Sequence, residues 1–249
     1  MTQQPQILLV GGTPRSQTSA LSVLLNTHHD MFIGMERFYF KVLRDFTLDR
    51  TDFEPPRFYE LHPGDTFHES IFPDVDVTGK IDRFADLSYV GDKIPTVYEK
   101  IDEVRSAIPE ARFLFIVRDV IDVAASYRDR AERNDPTWPA DKDHRQGVED
   151  WNQANRILGS LDPSLDASII LARQLFDATD KAEKLYAHLG LNPKAYNEEH
   201  VNLIYEKASS ILERPVQRNF SQAALDEIAQ SADFESYQKL LTSPHFVSL

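Results

Sequence analysis

The 249-residue chain contains no cysteine, which excludes disulfide bonds, thiolate metal sites and a cysteine nucleophile. It also contains no run of about 18 apolar residues, so the sequence predicts no membrane-spanning helix. The N-terminal segment MTQQPQ lacks the basic residues that open a secretory signal peptide, and it runs directly into a strand-like segment. From these absences we expect a protein of the cytoplasm.

Basic residues are also scarce relative to acidic ones. The chain has 27 lysines and arginines against 40 aspartates and glutamates, which gives a formal net charge of −13. Such a surface repels polyanions, so nucleic acids and highly sulfated glycans are poor candidates as partners. Any anion that this protein binds must be held by a local cluster of positive charge. A basic residue in a loop between a strand and a helix is therefore informative.

Short apolar runs, typical of buried parallel strands, alternate with segments of helical periodicity. The runs are QILLVGG (6–12), MFIGM (31–35), SYVGDK (88–93), ARFLFIVR (111–118) and ASIILARQ (167–174). This alternation predicts a three-layer α/β fold with a central, mostly parallel sheet flanked by helices. We expect one domain over residues 1–249, with its ligand at the carboxyl ends of the strands.

One long segment interrupts this alternation. Residues 52–87 are rich in proline, aspartate and aromatic residues, beginning with the stretch DFEPPRFYE. The segment is either a surface insertion or a lid on the substrate side of the site, because long loops in compact domains are often functional.

The stretch GGTPRSQTS follows the first predicted strand and resembles a phosphate-binding loop, GxxxxGK[ST], in part. Gln17 occupies the position of the second glycine, and Thr18 occupies that of the lysine. The N-terminus of the following helix still favours an anion, and the planar guanidinium of Arg15 suits phosphate-like oxygens. The hydroxyl donors of the stretch are Ser16, Thr18 and Ser19. The alternative is a polar helix N-terminus without a ligand.

A second basic residue ends the fourth predicted strand, in FLFIVRDVIDVAAS. Arg118 ends the strand and Ser126 lies eight residues later, about two turns into the next helix. The two side chains can converge on one anion above the sheet, although Arg118 can instead pair with Asp119 or Asp122. Two anion sites on one sheet favour a ligand with phosphates at two places.

The pair PRSQTS and RDVIDVAAS resembles the motifs of sulfotransferases that use 3′-phosphoadenosine 5′-phosphosulfate (PAPS), with anchors over residues 7–130. The resemblance implies a P-loop NTPase-like fold and a sulfotransferase of the bacterial type, and it implies no metal. It implies that the first motif binds the 5′-phosphosulfate, and that Arg118 and Ser126 bind the 3′-phosphate. Arg214 and Arg218 are further candidates for the 3′-phosphate. The first-motif residues implied are Pro14, Arg15, Ser16, Gln17, Thr18 and Ser19. Gln17 departs from the glycine that is usual in the family, so its side chain must point away from the donor or add a hydrogen bond.

The resemblance also suggests which residues carry the chemistry. Arg15 is expected to stabilise the leaving phosphate and the sulfuryl oxygens, with Lys93 of GDKIP as the second cation; the alternative for Lys93 is a surface pair with Asp92. The histidine that cytosolic sulfotransferases place two residues after this lysine is Pro95 here. Glu36 of GMERFYF resembles the glutamate base of heparan sulfate sulfotransferases and is therefore the expected base. Its alternative role is to neutralise Arg15 or Arg37. His62 and His68 are the second choices for the base.

The resulting prediction is an enzyme that transfers a sulfuryl group from PAPS to a hydroxyl or amine. Its acceptor is expected to be a small or moderately sized molecule, a glycan or a lipid, because the acidic surface disfavours long polyanions. A nucleotide kinase or NTPase is an alternative that lacks the usual loop lysine. A non-catalytic nucleotide-binding protein on the same fold is the third possibility, and Gln17 is the feature that favours it. The sequence leaves the oligomeric state open.

Overall fold

A computed structural model of the protein describes residues 4–66, 76–133, 138–212 and 220–249. Its centre is a five-stranded sheet in which every pair of neighbouring strands is parallel, in the order β2-β3-β1-β4-β5. The strands are β1 (Gln6–Gly11), β2 (Met31–Met35), β3 (Tyr89–Lys93), β4 (Arg112–Val117) and β5 (Ala167–Leu171). Each lies within a predicted apolar run, so the prediction of a parallel α/β sheet is confirmed.

Helices follow the strands and cover both faces of the sheet. They are α1 (Thr18–Asn26), α2 (Tyr39–Leu43), α3 (Val77–Asp82), α4 (Ile101–Ala107), α5 (Val120–Ala131), α6 (His144–Leu158), α7 (Ala172–Leu175), α8 (Asp180–His188), α9 (Glu198–Leu212), α10 (Gln222–Ser231) and α11 (Phe234–Leu241). A 3₁₀ helix, Val97–Lys100, precedes α4. Within the described parts of the chain, no helix is long and apolar enough to span a membrane.

The core has two layers because successive side chains of a strand point to opposite faces. In β1, Ile7 and Leu9 pack with residues of α4, α6 and α11, whereas Leu8 and Val10 pack with residues of α1, α8 and α9. Both faces of the sheet are therefore buried, which explains why the strands are continuously apolar rather than alternating.

The described ends of the 52–87 segment pack against the body of the domain. Phe53 and Phe58 are buried in the core layer that contains Ile7. Arg37, which is fully buried, contacts Asp65 at 2.5 Å, and Arg57 contacts the same carboxylate at 2.6 Å. The middle of the segment, 67–75, lies outside the described residues, and so does the second-choice base His68. The role of the 52–87 segment as a lid therefore stays a prediction.

Candidate active site

Four strands end at one edge of the sheet and carry the predicted charged residues to it. Arg15 follows β1, Glu36 follows β2, Lys93 ends β3 and Arg118 follows β4. Because all the strands are parallel, their carboxyl ends meet at this edge, where ligands of α/β sheets bind. A cavity of about 500 Å³ opens there. Of the predicted residues, its lining includes Pro14, Arg15, Thr18, Ser19, Glu36 and Lys93.

The β1–α1 loop (residues 12–17) has the backbone of an anion-binding loop. Gly12 has a φ of 145°, and a Cβ there would lie 2.0 Å from the carbonyl oxygen of Ile116 in β4, so only glycine fits. Helix α1 begins after Gln17 without a side-chain cap, which leaves its first N–H groups for a ligand. The buried hydroxyl of Ser16 has no hydrogen-bond partner among the described residues. These polar groups fit the sulfate or phosphate oxygens of a nucleotide donor.

Gln17 adopts the left-handed conformation that explains why glycine is usual at this position. Its φ is 68°, and its Nε2 donates a hydrogen bond to the carbonyl oxygen of Ala208 in α9, 3.1 Å away. The side chain therefore points away from the cavity, which is the first of the two arrangements expected from the sequence. The backbone of the loop keeps the shape that a glycine would give it, and the amide joins the loop to α9.

Replacing Gln17 by glycine or alanine should separate these two effects. Both changes remove the bond to Ala208, worth about 1 kcal/mol, but only glycine also relieves the left-handed strain of about 1–2 kcal/mol. We expect Gln17→Ala to lower the free energy of unfolding by about 1 kcal/mol and Gln17→Gly to leave it near the wild-type value, as measured by urea denaturation. Both variants should bind 3′,5′-ADP within about twofold of wild type. A larger loss of affinity in both would contradict the orientation of the side chain.

The two predicted anion motifs meet at Arg15. The Arg15 Nε donates a hydrogen bond to Ser126 Oγ at 3.0 Å, and Arg118 Nη1 donates to the carbonyl oxygen of Arg15 at 3.4 Å. Burial lowers the pKa of the Arg15 guanidinium, and the positive charges of Arg130, Arg118 and Arg133 lower it further. Several cations therefore lie around one loop of an otherwise acidic protein. The sequence led us to expect such a local cluster of positive charge at an anion site.

Arg118 is 5% exposed, and its Nε lies 3.2 Å from Asp122 Oδ2. The predicted alternative of a carboxylate partner is therefore present, with Asp122 rather than Asp119, because Asp119 caps α5 by accepting from the Ile121 N–H. Burial lowers the pKa of Arg118, and the charge of Asp122 opposes that effect. Trp151, in the core, donates its indole N–H to the Arg118 carbonyl oxygen at 2.9 Å, which fixes the end of β4. The late-loop candidates Arg214 and Arg218 lie outside the described residues.

Glu36 and Lys93 form an ion pair, with 2.6 Å between Oε1 and Nζ. Lys93 is 1% exposed, whereas Glu36 is 28% exposed and faces the cavity. Lys93 therefore pairs with Glu36 and not with Asp92 at the surface. Glu36 has a φ of 59°, and its N–H donates to the Lys93 carbonyl oxygen at 2.8 Å. Strained backbone of this kind is often found at functional sites, where the surrounding structure holds it in place.

Asp92 holds the turn that carries Glu36, a role that the sequence did not indicate. It is fully buried, with Oδ1 accepting from the Arg37 N–H at 3.0 Å and Oδ2 accepting from the Phe38 N–H at 2.8 Å. A Cβ on Gly34 would lie 2.8 Å from Asp92 Oδ1, so the small residue in β2 makes room for the carboxylate. Burial raises the pKa of Asp92 to about 7, against the opposing effect of the two N–H donors and Lys93.

This raised pKa predicts a pH-dependent stability. Between the ordinary pKa of an aspartate and pH 7, the folded protein binds a proton at Asp92 that the unfolded chain has released, so stability falls as pH rises. Relative to Asp92→Asn, the wild-type free energy of unfolding should fall by about 1–2 kcal/mol from pH 5 to pH 7. Urea denaturation of both proteins at the two pH values measures this difference. Parallel pH profiles would show that the buried carboxyl does not titrate in this range.

The second-choice base His62 is exposed, and its backbone N–H donates to Asp65 Oδ2 at 2.7 Å. It is not among the described residues that line the cavity, whereas Glu36 is. Trp138 does line the cavity, with its indole N–H donating to the Lys142 carbonyl oxygen at 2.8 Å. The described geometry thus places Glu36, and not His62, beside the cations.

A parallel α/β sheet with cationic side chains gathered at its carboxyl edge is suited to binding an anionic ligand there. A sequence profile described as "Sulfotransferase family" matches residues 5–195, which is most of the chain. The protein therefore belongs to the sulfotransferase family and is a transferase.

Solved structures of sulfotransferases have the same fold. Mouse sulfotransferase SULT7A1, solved in complex with PAP, superposes with a TM-score of 0.53 and 14% identity, covering 95% of this chain and 87% of the mouse chain. The sulfotransferase domain of the Synechococcus PCC 7002 olefin synthase superposes with a TM-score of 0.52 and 15% identity, covering 96% and 95%. No curated protein sequence matches the chain. At these identities the likeness establishes the fold alone.

Proposed function

We propose that this protein transfers a sulfuryl group from PAPS to a hydroxyl or amine of a small or moderately sized acceptor. The observation that carries the proposal is the contact of Arg15 with Ser126 at 3.0 Å. It joins the loop suited to a 5′-phosphosulfate to helix α5, whose Ser126 belongs to the motif suited to a 3′-phosphate. ATP has no 3′-phosphate, so the second cluster favours a donor such as PAPS.

In the proposed binding mode, residues 14–19 hold the 5′-phosphosulfate through backbone N–H groups, hydroxyls and the Arg15 guanidinium. Arg118 and Ser126 hold the 3′-phosphate. Arg118 suits this role because its guanidinium is positioned by Asp122 and lies beside the loop. Arg218 is a further proposed contact to the 3′-phosphate. No metal is needed in this proposal, since side chains supply the positive charge.

The proposed reaction is a direct, in-line transfer. The acceptor oxygen or nitrogen forms a bond to sulfur while the bond between sulfur and the bridging phosphate oxygen breaks, and 3′,5′-ADP leaves. Glu36 accepts the proton of the acceptor, which a carboxylate at the cavity surface can do. Arg15 and Lys93 stabilise the charge that develops on the leaving phosphate. Lys93 also positions Glu36 through their 2.6 Å contact.

Thermal unfolding with two nucleotides tests the donor. We expect 3′,5′-ADP at saturating concentration to raise the melting temperature by several degrees, and ATP with Mg²⁺ to raise it less, because a ligand that binds only the folded state stabilises it. A preference for ATP would instead support a kinase or NTPase. If 3′,5′-ADP binds, sulfate transfer from PAPS to a panel of small acceptors separates the enzyme from a non-catalytic nucleotide-binding protein.

The surroundings in which the enzyme acts are part of the proposal. The absence of cysteine fits a reducing compartment, and we propose that the enzyme works in the cytoplasm. Its net charge of −13 disfavours nucleic acid and other long polyanions as partners, so the acceptor is a small molecule or a compact glycan or lipid.

A further inference from the structure

The cavity has a second wall that the sequence did not indicate. Tyr98 and Glu99, on the 3₁₀ helix Val97–Lys100, and Asp150, on α6, line the same cavity as Arg15 and Lys93. We call these three residues the acidic wall. They come from elements distant in sequence and meet only because α6 packs against the 3₁₀ helix in the fold.

The two carboxylates of the acidic wall have only neutral partners among the described residues. Asp150 Oδ2 accepts from the Tyr127 hydroxyl at 2.5 Å, and Oδ1 accepts from Gln146 at 2.8 Å. Glu99 Oε1 accepts from Gln153 at 3.2 Å. Neither carboxylate forms an ion pair within the described parts of the chain. A carboxylate has about four lone-pair sites, so each retains the capacity to accept further hydrogen bonds.

Glu99 and Asp150 bring two negative charges to the same cavity. Burial raises the pKa of Glu99, and the nearby charge of Asp150 raises it further. Lys100 acts in the opposite direction, but its ammonium pairs with Glu103 at 2.8 Å. A positive charge placed between Glu99 and Asp150 would relieve this repulsion.

The Tyr98 hydroxyl is a second polar feature of this wall, independent of the two carboxylates. The side chain is 2% exposed and lines the cavity, yet its hydroxyl has no hydrogen-bond partner among the described residues. Because Tyr98 lines the cavity, its hydroxyl can accept a hydrogen bond from a molecule bound there. Burial is also the main cause of its raised pKa, followed by the charges of Glu99 and Asp150.

The cations of the cavity lie in positions that leave the acidic wall its negative character. Lys93 is paired with Glu36, and Arg15 donates to Ser126. Arg130 and Lys142 lie over the Trp138 ring, 4.9 Å and 4.7 Å from its centroid. Each of these four cations therefore has a partner outside the acidic wall.

We propose that the acceptor is an organic cation, a hydroxyl compound that carries a protonated amine. The amine binds between Glu99 and Asp150 and donates a hydrogen bond to the Tyr98 hydroxyl oxygen, which leaves the acceptor hydroxyl for Glu36. This inference rests on the proposed function and specifies its acceptor. The net charge of −13 attracts such a molecule, whereas it repels an anionic acceptor.

Three phenols that differ mainly in charge test the proposal: tyramine is cationic, tyrosol is neutral and 4-hydroxyphenylacetate is anionic. Calorimetry on the protein saturated with 3′,5′-ADP should show tyramine binding at least about tenfold more tightly than tyrosol, and 4-hydroxyphenylacetate binding weakest, as expected for hydrogen bonds between charged groups. With PAPS, the same order should appear in KM rather than in kcat. Equal affinities, an anion preference or no binding of tyramine would overturn the proposal.

Variants of Glu99 and Asp150 test whether the acidic wall causes the preference for tyramine over tyrosol. Glu99→Gln and Asp150→Asn should each reduce the preference for tyramine over tyrosol about tenfold, with little change in the affinity for tyrosol. Glu103→Gln is the matched control, because Glu103 is exposed and pairs with Lys100 outside the cavity, and it should keep the full preference. An unchanged preference in both wall variants would overturn the assignment of the cation to this wall.

Different results would disprove the donor assignment and the acceptor inference. If 3′,5′-ADP does not bind, the donor assignment of the proposed function is wrong. If 3′,5′-ADP binds and PAPS is turned over, but the three phenols show no preference for the cation, only the acceptor inference is wrong. Each variant is also checked for 3′,5′-ADP binding, so that a folding defect is not mistaken for lost acceptor recognition.

Discussion

Replacing Glu36 by glutamine should lower turnover about 100- to 1,000-fold, the usual contribution of a general base. Affinity for 3′,5′-ADP should be retained or increased. The reason is that Lys93, which is 1% exposed, loses the carboxylate 2.6 Å away and keeps its full charge for the donor phosphate. Glutamine has nearly the same shape as glutamate, so the left-handed turn at this position is preserved at similar cost.

The measurement combines kcat with PAPS and calorimetry with 3′,5′-ADP. His62→Ala is the control, because it changes the second-choice base, which is exposed and outside the described cavity lining, and it should keep wild-type turnover. Unchanged turnover in Glu36→Gln would remove Glu36 as the base. A parallel loss of 3′,5′-ADP affinity would instead show that the pair with Lys93 mainly supports the fold of the site.

Replacing Arg118 by alanine should weaken 3′,5′-ADP about 10- to 100-fold and 5′-AMP much less. Hydrogen bonds to a charged group contribute about 1.5–3 kcal/mol, and only 3′,5′-ADP carries the second phosphate. A smaller effect on 5′-AMP is expected, because Arg118 also donates to the Arg15 carbonyl oxygen at 3.4 Å and supports the β1–α1 loop.

A second variant distinguishes the loss of a phosphate contact from a folding defect. Alanine at position 118 leaves the buried Asp122 without its closest cation, and Arg173 remains only at 3.9 Å. The double variant Arg118→Ala with Asp122→Asn removes that unpaired charge and should show the same loss of discrimination between the two nucleotides. Asp122→Asn alone is the matched control, and it should keep most of the preference for 3′,5′-ADP over 5′-AMP. An equal loss for both nucleotides in the double variant would contradict the 3′-phosphate assignment.

The sheet and much of the candidate site could be predicted from the order of residues along the chain. Strands buried on both faces must be apolar throughout, so their positions are visible as runs such as LFIV in β4. Charged residues just beyond such runs must lie at one edge, because parallel strands all end there. The grouping of Arg15, Glu36, Lys93 and Arg118 therefore follows from the order of residues along the chain.

Which side chains meet across that edge depends on how the whole chain folds. Gln17 reaches Ala208 of α9, Asp92 holds the turn before Phe38, and Glu99 lines the same cavity as Asp150 of α6. These contacts depend on the strand order β2-β3-β1-β4-β5 and on how the helices pack over it, and no local pattern records either. The chemical type of a residue and the strand that it follows can be read from the local sequence. Its partner is set by the folding of distant segments against one another, and that is why the acidic wall exists only in the folded molecule.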